Sequence, residues 1–158
     1  MGELTLSRDP GDRTKFTYPG VGSWRRHGGV FSRSVDVTTY DGGNWTFRAN
    51  GAFKAKREAV DASGPVVGTC NQRAWYSRNC ALTWLGREYQ LTSDSNWRTR
   101  FVLTSGGHPL ATIQGKAGGR NPVTARFDDP QLDPGLLFFA SWVVLDIARQ
   151  TTAAAAAG

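Results

Sequence analysis

The feature that most constrains the fold is an almost wholly apolar stretch near the end of the chain, LDPGLLFFASWVVLDIARQ at residues 132–150. Asp133 suits the N-cap of a helix, and Pro134 suits its first position because the N–H that proline lacks would be unbonded there anyway. From residue 136 to residue 148, only Ser141 and Asp146 are polar. A helix without a polar face must be buried on all sides, in protein or in lipid.

The length of this segment separates the two environments. Its 13 residues span roughly 20 Å, whereas a membrane core of about 30 Å needs about 20 apolar residues. Asp146 would cost a further 2–3 kcal/mol or so deep in lipid. We therefore predict no transmembrane span, and a helix over about residues 134–150 buried in protein. The side chains predicted to form its core contacts are Leu136, Leu137, Phe138, Phe139, Trp142, Val143, Leu145 and Ile147.

Residues that precede the helix alternate between apolar and polar side chains, which is typical of strands with one wet face. Val35 and Val37 share one face, and the alternation resumes after the turn DGGN with Trp45, Phe47 and Ala49. After a second turn at Asn50-Gly51, a strand is predicted in which Phe53 and Ala55 face inward and Lys54 and Lys56 face outward. Further strands are predicted at residues 66–71, 81–84, 87–93, 99–104, 109–116 and 123–127. The connections are short and rich in turn residues, so the pairing should be antiparallel.

Many short antiparallel strands favour a sandwich or a barrel, and the apolar helix needs an interior. We therefore predict a mainly β fold, a closed antiparallel β-barrel around a central C-terminal hydrophobic α-helix. The length of 158 residues fits a single domain, which we assign to residues 1–152. Residues 153–158 form a low-complexity Ala tail that either frays or extends the helix.

The charge balance points to anionic partners. The chain has 19 Lys and Arg against 13 Asp and Glu, a net charge of +6, and 15 of the cations are Arg. Such a balance favours phospholipid head groups or nucleic acid, and equally serves as a solubilising surface charge. Sequence-specific nucleic-acid binding is not expected, because the chain shows no DNA-binding helix motif.

The cysteines and the first residues of the chain are informative about its cellular compartment. Cys70 and Cys80 lie too far apart for a CxxC pair, and with two histidines in the chain a structural metal site is not expected. A hairpin disulfide and two buried free thiols both remain open, the second being favoured. The first residues contain no apolar signal region, so we predict a cytoplasmic protein that can attach peripherally to a membrane.

A strand-rich chain that finishes on an apolar helix resembles the Tubby C-terminal-like superfamily, which includes LURP-one-related proteins and phospholipid scramblases. The resemblance rests on VDASGPVVGTC (60–70), FVLTSGGHPLATIQGK (101–116) and above all DDPQLDPGLLFFASWVVLDIARQ (128–150). It covers roughly residues 16–149 and implies a barrel of about twelve strands with a non-enzymatic role. Tubby proteins bind phosphoinositides through basic outer strands, for which FKAKR (53–57) is a loose counterpart. The Pro-rich extension and calcium-binding segment of scramblases have no counterpart, so scrambling is not expected.

A candidate anion-binding patch consists of basic residues expected on the outer barrel face. Its members are Arg48, Lys54, Lys56, Arg57, Arg98 and Arg100. Basic residues two positions apart on a strand project from the same face, and their charge and bidentate Arg hydrogen bonds would bind phosphate. The alternative is a solvated outer face whose cations pair across strands with Glu58, Glu88 or Asp94.

Two further segments attract attention. SWRRHGG at residues 23–29 is expected to be a loop, in which Trp24 touches a membrane interface, stacks on a base or plugs the end of the barrel. Asp146 should find a buried partner, an Arg or backbone amides, or else reach the barrel mouth.

Catalytic and metal chemistry have little support in the sequence. His27 and His108 lie in Gly-containing turns without a catalytic motif. The acidic cluster Asp128, Asp129 and Asp133 is explained by charge complementarity with the helix start better than by calcium binding. We predict no enzymatic activity, cofactor or metal.

Three non-enzymatic functions therefore remain as alternatives. The first is a binding or adaptor module that binds anionic phospholipid (phosphoinositide) head groups through its outer face. The alternatives are a scaffold for a protein partner and a barrel that carries a small ligand. A helix that fills the barrel would leave no room for such a ligand.

Overall fold

The computed structural model of this protein describes residues 2–29, 32–50, 56–71, 79–93, 99–127 and 131–157. The described residues form twelve strands and one α-helix. The strands are β1 (Gly2–Arg8), β2 (Lys15–Tyr18), β3 (Gly22–Arg26), β4 (Val35–Thr39), β5 (Asn44–Asn50), β6 (Lys56–Asp61), β7 (Val66–Asn71), β8 (Asn79–Trp84), β9 (Arg87–Ser93), β10 (Arg100–Ser105), β11 (His108–Gly115) and β12 (Val123–Phe127). The helix α1 is Pro134–Ala157.

Each strand pairs antiparallel with its neighbours along the chain, and the meander closes where β1 pairs with β12. In this closing pair Leu4 lies opposite Ala125, and Leu6 lies opposite Val123. Closure leaves no strand of the described sheet with an open edge, which removes a site of edge-to-edge aggregation. The predicted closed antiparallel barrel is confirmed.

The helix α1 occupies the barrel interior and contacts strands on opposite sides. Phe139 packs against Phe47 of β5, with ring centroids 5.1 Å apart, and against Trp84 of β8 at 5.7 Å. On another side the hydroxyl groups of Tyr18 (β2) and Ser141 (α1) are hydrogen-bonded, with their oxygens 2.7 Å apart. The predicted core side chains of the helix are all at most 4 % exposed: Leu136, Leu137, Phe138, Phe139, Trp142, Val143, Leu145 and Ile147.

The start of α1 follows the sequence prediction. The Asp133 carboxylate accepts the Gly135 N–H at 2.9 Å as an N-cap and the Trp84 indole N–H at 3.0 Å. A Cβ atom on Gly135 would lie 2.4 Å from the Trp84 ring and 2.8 Å from the Trp45 ring. Glycine is therefore required here by the close approach of the two tryptophans that cover this end of the helix.

The end of α1 lies beyond the predicted limit near residue 150. The helix continues to Ala157, so the Ala tail extends it, as one of the two alternatives allowed. Alanine has the highest helix propensity, which accounts for the continuation.

The described residues include no helix that is long and apolar enough to cross a membrane.

The first three strands were not predicted. Residues 23–29 were expected to be a loop, but β3 covers Gly22–Arg26 and places Trp24 inside, 3 % exposed, with Arg25 outside. Short strands that contain Gly and Arg give a weak alternation signal, which explains the error. Trp24 belongs to the core, where its ring contacts Phe138 of α1.

Cys70 and Cys80 are buried free thiols, the favoured alternative. They lie on the paired strands β7 and β8. A hydrogen bond to Cys80 and burial raise the pKa of the Cys70 thiol. Both cysteines therefore act as core residues in the described structure.

Candidate anion-binding site

Alternate loops of an up-and-down barrel lie at the same end of it. The loops β1–β2, β3–β4 and β11–β12 surround the end at which α1 leaves the barrel, where they enclose a pocket of about 380 Å³. Gly118 and Gly119, both exposed, form one wall, so the pocket reaches solvent. This end is opposite the one that Trp45 and Trp84 cover.

Arginine dominates the wall of this pocket. Among the described residues, five arginines line it: Arg8, Arg13, Arg26, Arg33 and Arg149. We call this site, defined by those residues, the arginine pocket. Phe16 and Trp24 add an aromatic wall, and the described lining residues include no carboxylate. The pocket therefore concentrates positive charge in a concave site.

Arg26 and Arg149 are two pocket arginines whose positive charges act on one another. The Nε atom of Arg26 is buried and makes no hydrogen bond within the described part of the chain. Burial lowers the pKa of the Arg149 guanidinium, Asp146 opposes that effect, and the positive charge of Arg26 lowers it further. Two guanidinium groups thus repel one another, and a bound anion would relieve the repulsion.

The carboxylates of the neighbouring β1–β2 loop bind groups other than the arginines of the pocket. Asp9 accepts the Gly11 N–H at 2.7 Å. Asp12 accepts the N–H and the hydroxyl of Thr14 and forms an ion pair with Arg25 at 3.0 Å. These hydrogen bonds lower the pKa of Asp12. Both aspartates stabilise the loop and do not line the arginine pocket.

Arg33 reaches the pocket from the β3–β4 loop and is anchored to the helix. Its Nε donates to Oδ1 of Asp146 at 2.9 Å, and its second guanidinium nitrogen donates to Oδ2 of the same carboxylate. The indole N–H of Trp142 donates to the backbone carbonyl of Arg33 at 3.1 Å. The helix therefore holds this loop by a side chain and by the backbone.

Asp146 also pairs with Arg57 of β6, whose Nε donates to its Oδ2 at 2.8 Å. Burial by itself would raise the pKa of Asp146, but the Arg33 hydrogen bonds and the charge of Arg57 outweigh it, and the pKa is lowered. Of the alternatives expected for Asp146, a buried Arg partner is the one that the structure shows. The placement of Arg57 on the outer patch is wrong, because its side chain is 0 % exposed inside the barrel.

The remaining outer-face cations on β5 and β6 have a shared partner. Arg48 and Lys56 both lie outside and contact Glu58, at 2.9 Å and 3.5 Å. The hydrogen bond from Arg48 lowers the pKa of Glu58 against a smaller opposing effect of burial. The cross-strand pairing with Glu58 that the alternative predicted is present, so this part of the patch carries a compensated charge.

The predicted patch is also divided by the topology. Arg100 lies on β10, in phase with the outward-facing Val102, and β7, β8 and β9 separate it from β6. Because neighbouring strands lie about 4.8 Å apart, β6 and β10 are about 19 Å apart around the sheet. Lys54 and Arg98 lie outside the described residues. The structure does not bring Arg100 to the same site as Arg48 and Lys56.

The other predicted candidates take structural positions. His27 is exposed and contacts Asp36 at 2.8 Å on the outer face. Asp133 caps the helix, as described above, while Asp128 and Asp129 lie outside the described residues. The described residues contain no cluster of three or more His, Cys, Asp or Glu side chains that could hold a metal ion.

No family model, curated protein or solved structure matches this chain. The resemblance to the Tubby C-terminal-like superfamily accordingly stays an expectation, and the candidate site stands on its geometry.

Sequence reasoning missed the arginine pocket because its residues come from separate strands, separate loops and the end of the helix. Arg8, Arg26 and Arg149 share an end of the barrel only when β1, β2 and β3 are counted as strands. The usable signal was an Arg at the end of both β1 and β3, because alternate strands of an up-and-down barrel end on the same side.

Proposed function

We propose that this protein is a non-enzymatic binding module that holds a phosphate-bearing anion in the arginine pocket. The observation that carries the proposal is the juxtaposition of Arg26 and Arg149 in a concave site without a lining carboxylate among the described residues. Guanidinium groups bind phosphate oxygens through paired N–H donors, so arginine suits this ligand better than lysine.

The size of the pocket supports a ligand rather than a single ordered ion. A water molecule occupies about 30 Å³ in the liquid, so 380 Å³ holds about a dozen atoms of that size. This volume also lies in the range of about 300–1,000 Å³ that small-molecule sites occupy. A phosphate together with the group it is attached to would fit.

A binding role is favoured over a catalytic one by the chemistry of the wall. Arginine stays protonated at all physiological pH values and does not exchange protons with a substrate. The aromatic side chains Phe16 and Trp24 supply apolar contacts. The pocket therefore offers charge and shape, and its described lining residues offer no general base.

The position of the pocket favours an anionic membrane surface as the source of the phosphate group. The pocket opens at an end of the barrel, and the exposed Arg25 and Arg120 adjoin the lining residues Arg26 and Gly119 in the chain. A flat surface that meets this end would contact these cations and the pocket together, and each cation near an anionic surface contributes about 1 kcal/mol. Phosphoinositide head groups in a cytoplasmic leaflet have this chemistry.

Co-sedimentation with vesicles tests the proposal. We expect binding to phosphatidylcholine vesicles that contain a phosphoinositide and none to phosphatidylcholine alone. Arg26→Gln/Arg149→Gln should abolish binding, while Arg48→Gln/Lys56→Gln, which removes the same charge from the outer wall, should retain it. Inorganic pyrophosphate, titrated by calorimetry, reports whether the free anion suffices without a membrane.

Each of the other results has a definite meaning. Equal losses in the two double variants would show that net charge, not the arginine pocket, drives binding. A loss confined to Arg48→Gln/Lys56→Gln would move the site to the outer face. Wild-type protein that binds neither the vesicles nor pyrophosphate would overturn the proposal.

A further inference from the structure

Arg33 is the arginine of the pocket whose position the fold specifies most fully. Its guanidinium forms a two-point contact with Asp146, and its backbone carbonyl accepts the indole N–H of Trp142. Trp142 and Asp146 are one helical turn apart, so they lie on the same face of α1. Both are buried, at 2 % and 4 % exposure, while the Arg33 side chain is 23 % exposed in the pocket wall.

A purely structural role does not explain why Asp146 is ionised in the core. Replacing a buried ion pair by apolar groups of similar volume is often neutral or stabilising, so the pair with Arg57 is not needed for stability as such. The same carboxylate, however, extends from the sealed interior to a residue that lines the pocket. That arrangement connects the helix to the anion site.

We infer that Asp146 and Trp142 are positioning residues, which hold Arg33 in the orientation that binds the anion. The inference rests on the proposed function. A free arginine side chain has many rotamers, and ordering it on binding costs affinity. Because the helix orders Arg33 before the ligand arrives, this cost is already met by folding.

Removing the charge of Asp146 separates a positioning role from a purely electrostatic role, because the two roles predict different changes in anion affinity. Asp146 is a negative charge near an anion site, so a purely electrostatic account expects tighter anion binding when it alone is removed, and unchanged binding when Arg57 is removed with it. The positioning account expects weaker binding. Asp146→Asn by itself would remove the carboxylate that Arg57 contacts in the core, and Arg57→Met/Asp146→Asn avoids this while it keeps the net charge of the wild type.

Trp142→Phe is a second variant that keeps the charge and the aromatic ring but removes the N–H donor to Arg33. The matched control is Tyr18→Phe, which removes another hydrogen bond between helix and strand, that to Ser141, in which Arg33 takes no part. All variants are titrated with inorganic pyrophosphate by calorimetry at constant ionic strength. The NMR signal of the Arg33 side-chain Nε–H is followed in parallel, because its protection from solvent exchange reports the orientation directly.

We expect Arg57→Met/Asp146→Asn and Trp142→Phe each to weaken pyrophosphate binding about three- to tenfold, the range for one immobilised side chain. The Arg33 Nε–H signal should lose protection in the first of them, and Tyr18→Phe should bind as the wild type does. Wild-type protein that binds pyrophosphate, with unchanged or tighter binding in both folded variants, would overturn the positioning role and leave the proposed function intact. Wild-type protein that fails to bind pyrophosphate, and fails to bind the vesicles, overturns the proposed function and this inference with it.

Discussion

Arg57 on β6 and Asp146 on α1 face one another inside the barrel, with Nε and Oδ2 2.8 Å apart. Their side chains are 0 % and 4 % exposed. The contact links the wall of the barrel to the helix through charge, at a carboxylate that Arg33 also contacts. It makes the stability of the fold sensitive to the removal of either partner.

The first prediction concerns this pair. Asp146→Asn should lower the free energy of unfolding by about 3–5 kcal/mol, because the Arg57 charge loses its counterion in the core. Arg57→Met/Asp146→Asn should recover most of that loss. Urea denaturation of the single and double variants measures both values. A double variant as unstable as Asp146→Asn would show that the geometry of the pair, not the unpaired charge, matters.

The second prediction is a loss of stability in acid. Since the folded pKa of Asp146 is lowered from its ordinary value of 3.8, its contribution is present above that value and is lost as the pH falls through the folded pKa. Thermal unfolding midpoints should therefore fall as the pH is lowered below about 4. The fall should be shallower in Arg57→Met/Asp146→Asn than in the wild type. Parallel curves would indicate that Asp12, Asp61 and Glu58, whose pKa values are also lowered, account for the effect.

The third prediction concerns Gly135. Gly135→Ala should destabilise the protein by about 1–3 kcal/mol through overpacking against Trp84 and Trp45, although alanine is the better helix former. Gly29→Ala is the control, because a Cβ there meets nothing within 4 Å. Chemical denaturation should separate the two variants. A stable Gly135→Ala would mean that the tryptophan rings move aside without cost.

The fourth prediction concerns the turn between β8 and β9. Leu85 has a φ of 51° and is 60 % exposed, followed by Gly86 at 80°. Two-residue hairpin turns of this type favour Asn followed by Gly, and a leucine in the left-handed region is strained. Leu85→Asn should therefore raise the unfolding free energy by about 1 kcal/mol. An unchanged or lower midpoint of thermal unfolding would contradict this explanation.

The sequence was sufficient for the architecture because that depends on local patterns. The apolar segment at residues 136–148 could only be buried, and Asp133 with Pro134 marked its start, as the hydrogen bond to Gly135 shows. Alternation located the strands from β4 to β12. It failed for β1, β2 and β3, where runs of four to seven residues mix Gly, Arg and Thr with few apolar side chains.

The site depended on information that alternation along one strand does not contain. Arg57 follows Lys56, which was placed outside, so the period of two already put Arg57 with Ala59 on the inner face. A charged residue on an inner face is unfavourable unless it is paired, and its partner, Asp146, lies 89 residues away. The grouping of Arg8, Arg26 and Arg149 likewise follows from the order of strands around the barrel, not from their spacing in the chain.

The closing pair of β1 and β12 has a consequence for how the chain reaches its folded state. Leu6 of β1 can pair with Val123 of β12 only after nearly the whole barrel sequence has been synthesised. The helix that fills the interior is translated later still. Until residues 136–148 leave the ribosome, the inner faces of the strands have no core to cover, and long-range pairing of this kind is slow. The nascent chain should therefore depend on chaperones until α1 emerges, and truncation before Leu136 should yield insoluble protein rather than a smaller barrel.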